Sequence, residues 1–468
     1  MTQNPIRYFV VLKNPNGLEH SYFEDSATAD RWAARYIALQ IYGPELVDDV
    51  PFTIASRPSA LVHLVSEPDS ERPLKPRQPH ELVVSLNVTG NARLSPAQVV
   101  DDIIKAALEK PEVFVGGSPD IPFASSDHWC VGDAADPMFS DRSAAQRLIR
   151  ADALRTRPNT TGKGVNVVIV DQGLDKRELG SSYGGGWKVG AAVPGAPQQQ
   201  PGSIRRPHGM MMAHNILEVA PDALLFDLPL APPRISNITN FLSLAYAAYS
   251  VALTDVWHWK RGKYPGPWIF VNPWGIYDRS SEVPLGGYTT NPHNCFNRLI
   301  GQVVADDNDV VFAAGNCGQF CPDMRCGEED QGPGYSIWGA NSLAQVLTVG
   351  AIRADSMWLG YSSQGPGQLA LGPNKPDLCA TSQFREDGDA FSINTGTSAA
   401  CGLAAGVVAA LRSRWDSARV SPHQLKHVLN QSARKPPGLG SNPGLRHRLG
   451  HGVLDANAAF DQLMMQFP

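Results

Sequence analysis

The chain is predicted to be an α/β protein, a parallel sheet sandwiched between helices, with an N-terminal α+β domain ahead of it. Three observations predict this. Apolar, β-branched runs without polar alternation recur from residue 164 onward, helical segments separate them, and residues 1–130 lack that rhythm. A strand covered on both faces reads as an unbroken apolar run, and βαβ alternation calls for a parallel sheet.

The N-terminal domain, residues 1–130, is read from local signals. Tyr8-Phe9-Val10-Val11-Leu12 is a predicted strand ending in the turn signal Asn14-Pro15-Asn16-Gly17. Asp25 is placed to cap a helix whose Ala29, Trp32, Ala33, Tyr36 and Ile37 share one face. Glu81–Val88 alternates as a strand does. Ser95-Pro96 opens a second helix to Lys110, with Val99, Ile103, Ile104 and Leu108 expected inward. The Pro-rich stretch Glu71–Pro79 reads as a linker or exposed loop.

A larger domain is expected over residues 137–464. Its first strand is Gly164–Val170, with further strands at Ala223–Leu228, Trp268–Val271, Val310–Ala314 and Val346–Val349. Helices are expected at His208–Leu217, Ile238–Trp257 and Asn297–Asp306, and the Gly/Pro-rich insert Ser181–Pro207 reads as a loop near the site. Such sheets carry their sites at the carboxyl ends of the strands. Asp171 directly follows its strand and Asn316 closely follows another, so both belong on that rim.

Bulk composition narrows the function. A net charge of -5 with scattered basic residues gives no nucleic-acid groove and no attraction to an anionic membrane. No stretch has the apolar length of a membrane-spanning helix, and Met1-Thr2-Gln3-Asn4-Pro5 lacks a signal-peptide pattern, so a cytoplasmic location is expected. Seven cysteines do not make a disulfide-built scaffold in 468 residues. Cys317, Cys321 and Cys326 cluster in one loop, with Cys295 upstream. Their irregular spacing argues against zinc; one local disulfide or free thiols remain, the latter favoured by a reducing compartment.

Three short segments carry chemistry: Asp171 in Val-Asp-Gln-Gly, His208 in Pro-His-Gly, and Ser398 in Asn-Thr-Gly-Thr-Ser-Ala-Ala. A serine hydroxyl is a poor nucleophile unless a positioned imidazole accepts its proton, and the imidazole needs a carboxylate to fix its tautomer. Acid, base and nucleophile occur in the order Asp, His, Ser, one of few orders that folds use. After Ser398 comes a helix of small and apolar residues that can be buried at close quarters. Asn316, just past a buried strand, is a candidate donor to a developing oxyanion, with the Ser398 backbone N–H as the second.

These segments resemble those of the subtilisin-like (S8) serine peptidases. Further matches are Thr161–Val165 before the Asp171 strand, Glu218–Ala223 after the His208 helix, Tyr361–Pro366 with Lys375-Pro376-Asp377, and the closing Gly450–Ala456. The resemblance implies a subtilisin-like fold and no cofactor. Calcium is frequent in the family, but no cluster of carboxylate ligands is identifiable and no metal site is assigned. By analogy, Asn272, Pro273, Trp274 and Gly275 would line the substrate pocket, with Ala313, Ala314 and Gly315 opposite. The chain departs from the family pattern at Gln172, Met210, Met211, Pro273 and Gly402. None of these removes a catalytic atom.

The expected function is a serine endopeptidase that acylates Ser398 and hydrolyses the ester, taking polypeptide substrates in an extended strand. Residues 1–130 would be a prosegment, Glu81–Gly117 having the strand–helix–strand look of one, or a domain that binds a regulatory partner. The rival from another class is a subtilisin-like scaffold with impaired catalysis, marked by Gln172 and Met210 beside the acid and base. A Gly-x-Ser-x-Gly esterase fits less well, because Ser398 lies in Gly-Thr-Ser-Ala and the residue order differs.

Overall fold

In a computed structural model of the chain, the described residues are 5–13, 26–44, 50–55, 63–64, 81–121, 124–125, 140–189, 200–203, 207–230, 241–386, 389–436 and 442–468. The expected turn at Asn14–Gly17, the Asp25 cap and the Glu71–Pro79 linker lie outside them. The N-terminal domain is an antiparallel sheet under two helices. Its elements are β1 (Ile6–Lys13), α1 (Ser26–Tyr42), β2 (Phe52–Ile54), β3 (Glu81–Val88), α2 (Pro96–Glu109) and β4 (Phe114–Pro119). The strand order is β2-β3-β1-β4.

Local chemistry fixes α2. The Ser95 hydroxyl accepts the Gln98 N–H while the Gln98 side chain accepts the Ser95 N–H, a reciprocal cap worth about 1 kcal/mol. Val99, Ile103 and Ala106 are buried, but Leu108 is 78% exposed, contrary to its expected inward position. It lies five residues beyond Ile103, about 140° round the helix, and so leaves the buried face.

The β1 alternation divides two cores. Tyr8, Val10 and Leu12 pack with α1 and α2, whereas Phe9 and Val11 face the second domain. That domain contains β5 (Asn166–Asp171), β6 (Tyr183–Lys188), α3 (Pro207–Leu217), β7 (Leu224–Pro229), α4 (Phe241–Trp259), β8 (Trp268–Asn272), α5 (Cys295–Ala305), β9 (Asp309–Ala313), β10 (Leu347–Ile352), β11 (Leu378–Thr381), α6 (Gly396–Arg412) and α7 (Pro422–Ser432). Its seven parallel strands run β11-β10-β9-β8-β5-β7-β6, with the short strand His63–Leu64 antiparallel at the β6 edge.

Both faces are covered. Val167 and Ile169 of β5 join the core with α3 and α6, while Val168 and Val170 join the core with α4 and α5. That is why the strand shows no polar alternation. Among the described residues no helix is long and apolar enough to cross a membrane.

The reading of Ser181–Pro207 as a loop is corrected: Tyr183–Lys188 is a strand. Gly184-Gly185-Gly186 hides it, because glycine is depleted in strands. The glycines are needed here. A Cβ at Gly184 would lie 2.6 Å from Leu224 Cγ, and one at Gly186 2.4 Å from the Asp227 carbonyl oxygen.

The N-terminal sheet is tied to α4 through a buried acid. Asp120 accepts the Ser85 hydroxyl at 2.7 Å, and the Ser243 hydroxyl and N–H at 2.8 and 3.3 Å. Tyr246 of α4 donates to Glu81 at 3.0 Å. Burial pushes the Asp120 carboxyl up to about 6, the hydroxyl donors opposing it.

A raised folded-state pKa means that the protonated acid is favoured by folding. The Asp120 contribution is therefore complete below about pH 4 and lost as pH rises through about 6, on the order of 3 kcal/mol in all. Denaturant titrations at pH 4 and pH 7 should show that Asp120→Asn removes this part of the slope. Identical slopes for the two proteins would refute the assignment.

Candidate active site

Asp171 is the last residue of β5, the strand at which the sheet order reverses: β6 and β7 lie to one side, β8 to β11 to the other. Crevices in parallel sheets open at such a switch point, beyond the strand carboxyl ends. The Gln172 N–H donates to Asp171 Oδ1 at 2.7 Å. His208 is the second residue of α3, and its Nδ1 lies 2.8 and 2.7 Å from the two Asp171 oxygens. A carboxylate only accepts, so Nδ1 carries a proton, and a neutral ring would then present its lone pair at Nε2. Both residues are buried.

The glycine after His208 is required by contact. A Cβ at Gly209 would fall 2.2 Å from the Gly173 carbonyl oxygen, in the turn after Asp171. Met210 and Met212 are core residues, and Met210 Sδ accepts the Asp175 N–H at 3.4 Å. The methionine run is thus mainly helix packing.

Ser398 stands in the first turn of α6, a helix whose described residues are all buried. α3 and α6 run side by side in the same direction. A Cβ at Gly402 would lie 2.9 Å from Asn215 Cβ and 3.3 Å from Met212 Cε, and one at Gly406 2.9 Å from Val219 Cβ. Gly402 meets Met212 and Asn215 of α3, and Gly406, one turn on, meets Asn215, Ile216 and Val219. One turn back, the register leads to the N-terminal turns of the two helices, where His208 and Ser398 lie. The Ser398 hydroxyl donates to the Pro273 carbonyl at 3.2 Å.

The Asn316 amide is oriented from both ends. Its Oδ1 accepts the Thr397 N–H at 3.0 Å and the Thr397 hydroxyl at 2.9 Å, and its Nδ2 donates to the Tyr277 hydroxyl at 3.3 Å. Thr397 Oγ1 also accepts the Gly315 N–H at 3.1 Å. Asn316 is therefore fastened to the residue before Ser398. Sequence reading missed Thr397 and Tyr277; the adjacency of Thr397 to Ser398 was the available signal for the first, and no signal marked the second.

The expected pocket residues fall into two groups. Pro273 and Gly275 contribute backbone: the strand Trp274–Gly275 pairs antiparallel with Ala124–Ser125. The Asn272 side chain is used internally, accepting from Tyr249 and donating to the Phe270 and Val311 carbonyls. The Trp274 indole packs among Phe241, Phe296 and Phe312 within the core. Ala313, Ala314 and Gly315 form the opposite segment. Gly315 has φ +103°, and a Cβ there would lie 2.9 Å from Ser363 Oγ.

Asn341, which carried no sequence signal, joins the two segments: its Nδ2 donates to the Trp274 carbonyl at 2.9 Å and the Ala313 carbonyl at 2.8 Å. Asp227 of β7 is a second acid near Asp171. It accepts the Leu174 and Gly202 N–H groups, and burial, with the Asp171 charge as a smaller cause, pushes it up to about 7.

The cysteine cluster differs from the free-thiol expectation. Cys317 and Cys326 form a disulfide, Cys321 is also disulfide-bonded, and Cys295 is a buried free thiol. Among the described residues no group of three His, Cys, Asp or Glu could hold a metal ion. The Cys317–Cys326 loop begins immediately after Asn316, and the Asp323 N–H donates back to the Asn316 carbonyl at 2.9 Å.

Removing the Asn341 amide leaves two buried carbonyls without a donor, a loss of about 1–3 kcal/mol. Asn341→Ala should lower unfolding free energy by that amount in denaturant titration. An unchanged midpoint would show that the two segments do not depend on this tie.

The Subtilase family pattern matches residues 162–452. No curated protein matches the chain. Among solved structures the chain is similar to MycP1 with its N-terminal propeptide removed, at 20% identity over 68% of this chain and 96% of that one, TM-score 0.46. It is also similar to MycP1 from Mycobacterium smegmatis, at 19% identity over 73% and 89% of the two chains, TM-score 0.43. The family match spans more than half of the chain and includes Asp171, His208, Asn316 and Ser398, so the protein belongs to the subtilase family.

Proposed function

We propose that the protein is a serine endopeptidase in which Ser398 is the nucleophile, His208 the general base and then acid, and Asp171 the orienting carboxylate. The observation that carries this reading is the contact of His208 Nδ1 with both Asp171 oxygens at the N-terminus of the helix that packs along the Ser398 helix. The lone pair at Nε2 takes the serine proton as Oγ attacks the peptide carbonyl. Nε2 then gives that proton to the departing amine, and water repeats the sequence on the ester. The developing oxyanion is stabilised by Asn316 Nδ2 and the Ser398 N–H.

Substrate is read as a strand added along Trp274–Gly275 through main-chain hydrogen bonds, side chains in the neighbouring pocket setting preference. In the intact chain that edge pairs with Ala124–Ser125, just beyond the N-terminal sheet. This favours the prosegment reading: the first domain docks on α4 and its following segment covers the substrate edge. The paired cysteines suit an oxidising compartment rather than the cytoplasmic location expected from the sequence.

A fluorophosphonate probe should label Ser398 once residues 1–130 are removed, and labelling should vanish in Ser398→Ala. Folded, trimmed protein that stays unlabelled would favour the scaffold reading instead. Full labelling of the intact chain would argue for a retained regulatory domain. Asn316→Ala should lower kcat by about 100- to 1,000-fold with KM little changed, a magnitude taken from the corresponding donor in a subtilisin. An unaltered kcat would remove Asn316 from the reaction.

A further inference from the structure

A second charged site lies on the opposite rim of the sheet, before β11 rather than beyond β5. Lys375, Asp377, Lys426, His423, His427 and His451 line a cavity between the β11 entry, α7 and the C-terminal loop, with no other charged group on its wall. Lys375 and Asp377 form its buried floor, with side chains 1% and 3% exposed. His423 and His427 stand one turn apart on the exposed face of α7.

The floor is not balanced. Asp377 Oδ2 accepts Lys375 Nζ at 2.6 Å and the Thr348 N–H at 2.7 Å, and Oδ1 accepts Lys426 Nζ at 2.8 Å. One carboxylate thus faces two ammonium groups. Lys375 Nζ also donates to the Val346 carbonyl at 2.8 Å, and Lys426 Nζ to the Ala344 carbonyl. An ammonium has three N–H donors. Each lysine therefore keeps one N–H that meets no acceptor among the described residues, beside a surplus positive charge that burial makes costly. Three imidazoles add donors without adding an acid.

We propose that this cavity binds a small tetrahedral oxyanion of the phosphate or sulfate type, held by Lys375 and Lys426 with His423 and His427 at the rim. The His451 Nδ1–H donates to the Asp377 carbonyl at 2.9 Å, which fixes that ring against the floor. Among the described residues the three imidazoles form no group that could hold a metal ion.

The surplus charge has one other remedy. Burial, opposed by Asp377 and assisted by Lys426, pushes Lys375 down to about 7, so the floor can also shed a proton. Anion binding and proton loss then compete. An anion holds Lys375 protonated, so its affinity falls as pH rises above about 7.

Isothermal titration of the full-length protein with sodium phosphate, against sodium chloride at equal ionic strength, tests this independently of peptidase activity. At pH 6 the wild type should give a saturable one-site isotherm, weakened at least tenfold at pH 8.5. Lys426→Met leaves Lys375 and Asp377 as a balanced pair and should abolish binding. The double variant His423→Ala/His427→Ala, altering only exposed side chains, should weaken it at least threefold if Lys426→Met fails to fold. Sulfate should compete and acetate should not. A flat titration of the wild type, binding unchanged in the variants, or acetate binding as tightly as phosphate would each overturn the proposal.

Discussion

The close contact between α3 and α6 is the constraint on which the rest of this molecule depends. Two helices can run parallel at this separation only where one lacks side chains, and Gly402 and Gly406 supply the gap facing Asn215, Ile216 and Val219. The same register runs to the N-terminal ends, with His208 in the first turn of one helix and Ser398 in the first turn of the other. A larger residue at 402 would have to displace Asn215, at a cost of about 1–3 kcal/mol. It would also shift the imidazole relative to the hydroxyl. Packing and site geometry are thus one problem.

The sheet supplies the other coordinates. Asp171 ends the strand where the strand order reverses, and Gly209 lets the start of α3 approach the turn after it. Asn316 follows β9, and Thr397 binds its amide on the residue next to Ser398. Arg412 anchors the far end of α6 by a two-pronged contact with Asp309 at 2.6 and 2.8 Å. A helix pinned at both ends keeps its first turn in place.

Much of this was legible because buried parallel strands leave an unbroken apolar signature, as at Val167–Val170, and because the candidates Asp171 and Asn316 sit where those runs stop. What escaped has physical reasons. The Tyr183–Lys188 strand is hidden by glycines that neighbouring side chains require. Leu108 is apolar yet exposed because helical rotation carries it off the buried face. Trp274 falls in a segment expected to meet substrate, but strand geometry turns its ring into the core. Asn341 and Tyr277 act through contacts distant in sequence, which no local pattern encodes. The cysteine cluster could not be settled from spacing, since pairing depends on the path of the loop beyond Asn316.

The N-terminal domain uses both faces of one sheet, one for its own helices and one for α4. Its following segment reaches the edge at Trp274–Gly275, where Ala124–Ser125 pairs with it. The convergence of Ser398 and His208 is the central claim, and a peptidyl chloromethyl ketone tests it most directly. Such a reagent alkylates an imidazole when a neighbouring serine first adds to its ketone. Mass spectrometry of the trimmed enzyme should find His208 modified at Nε2, and the modification should disappear in Ser398→Ala. An unmodified His208, or one modified equally fast without the serine hydroxyl, would contradict the account.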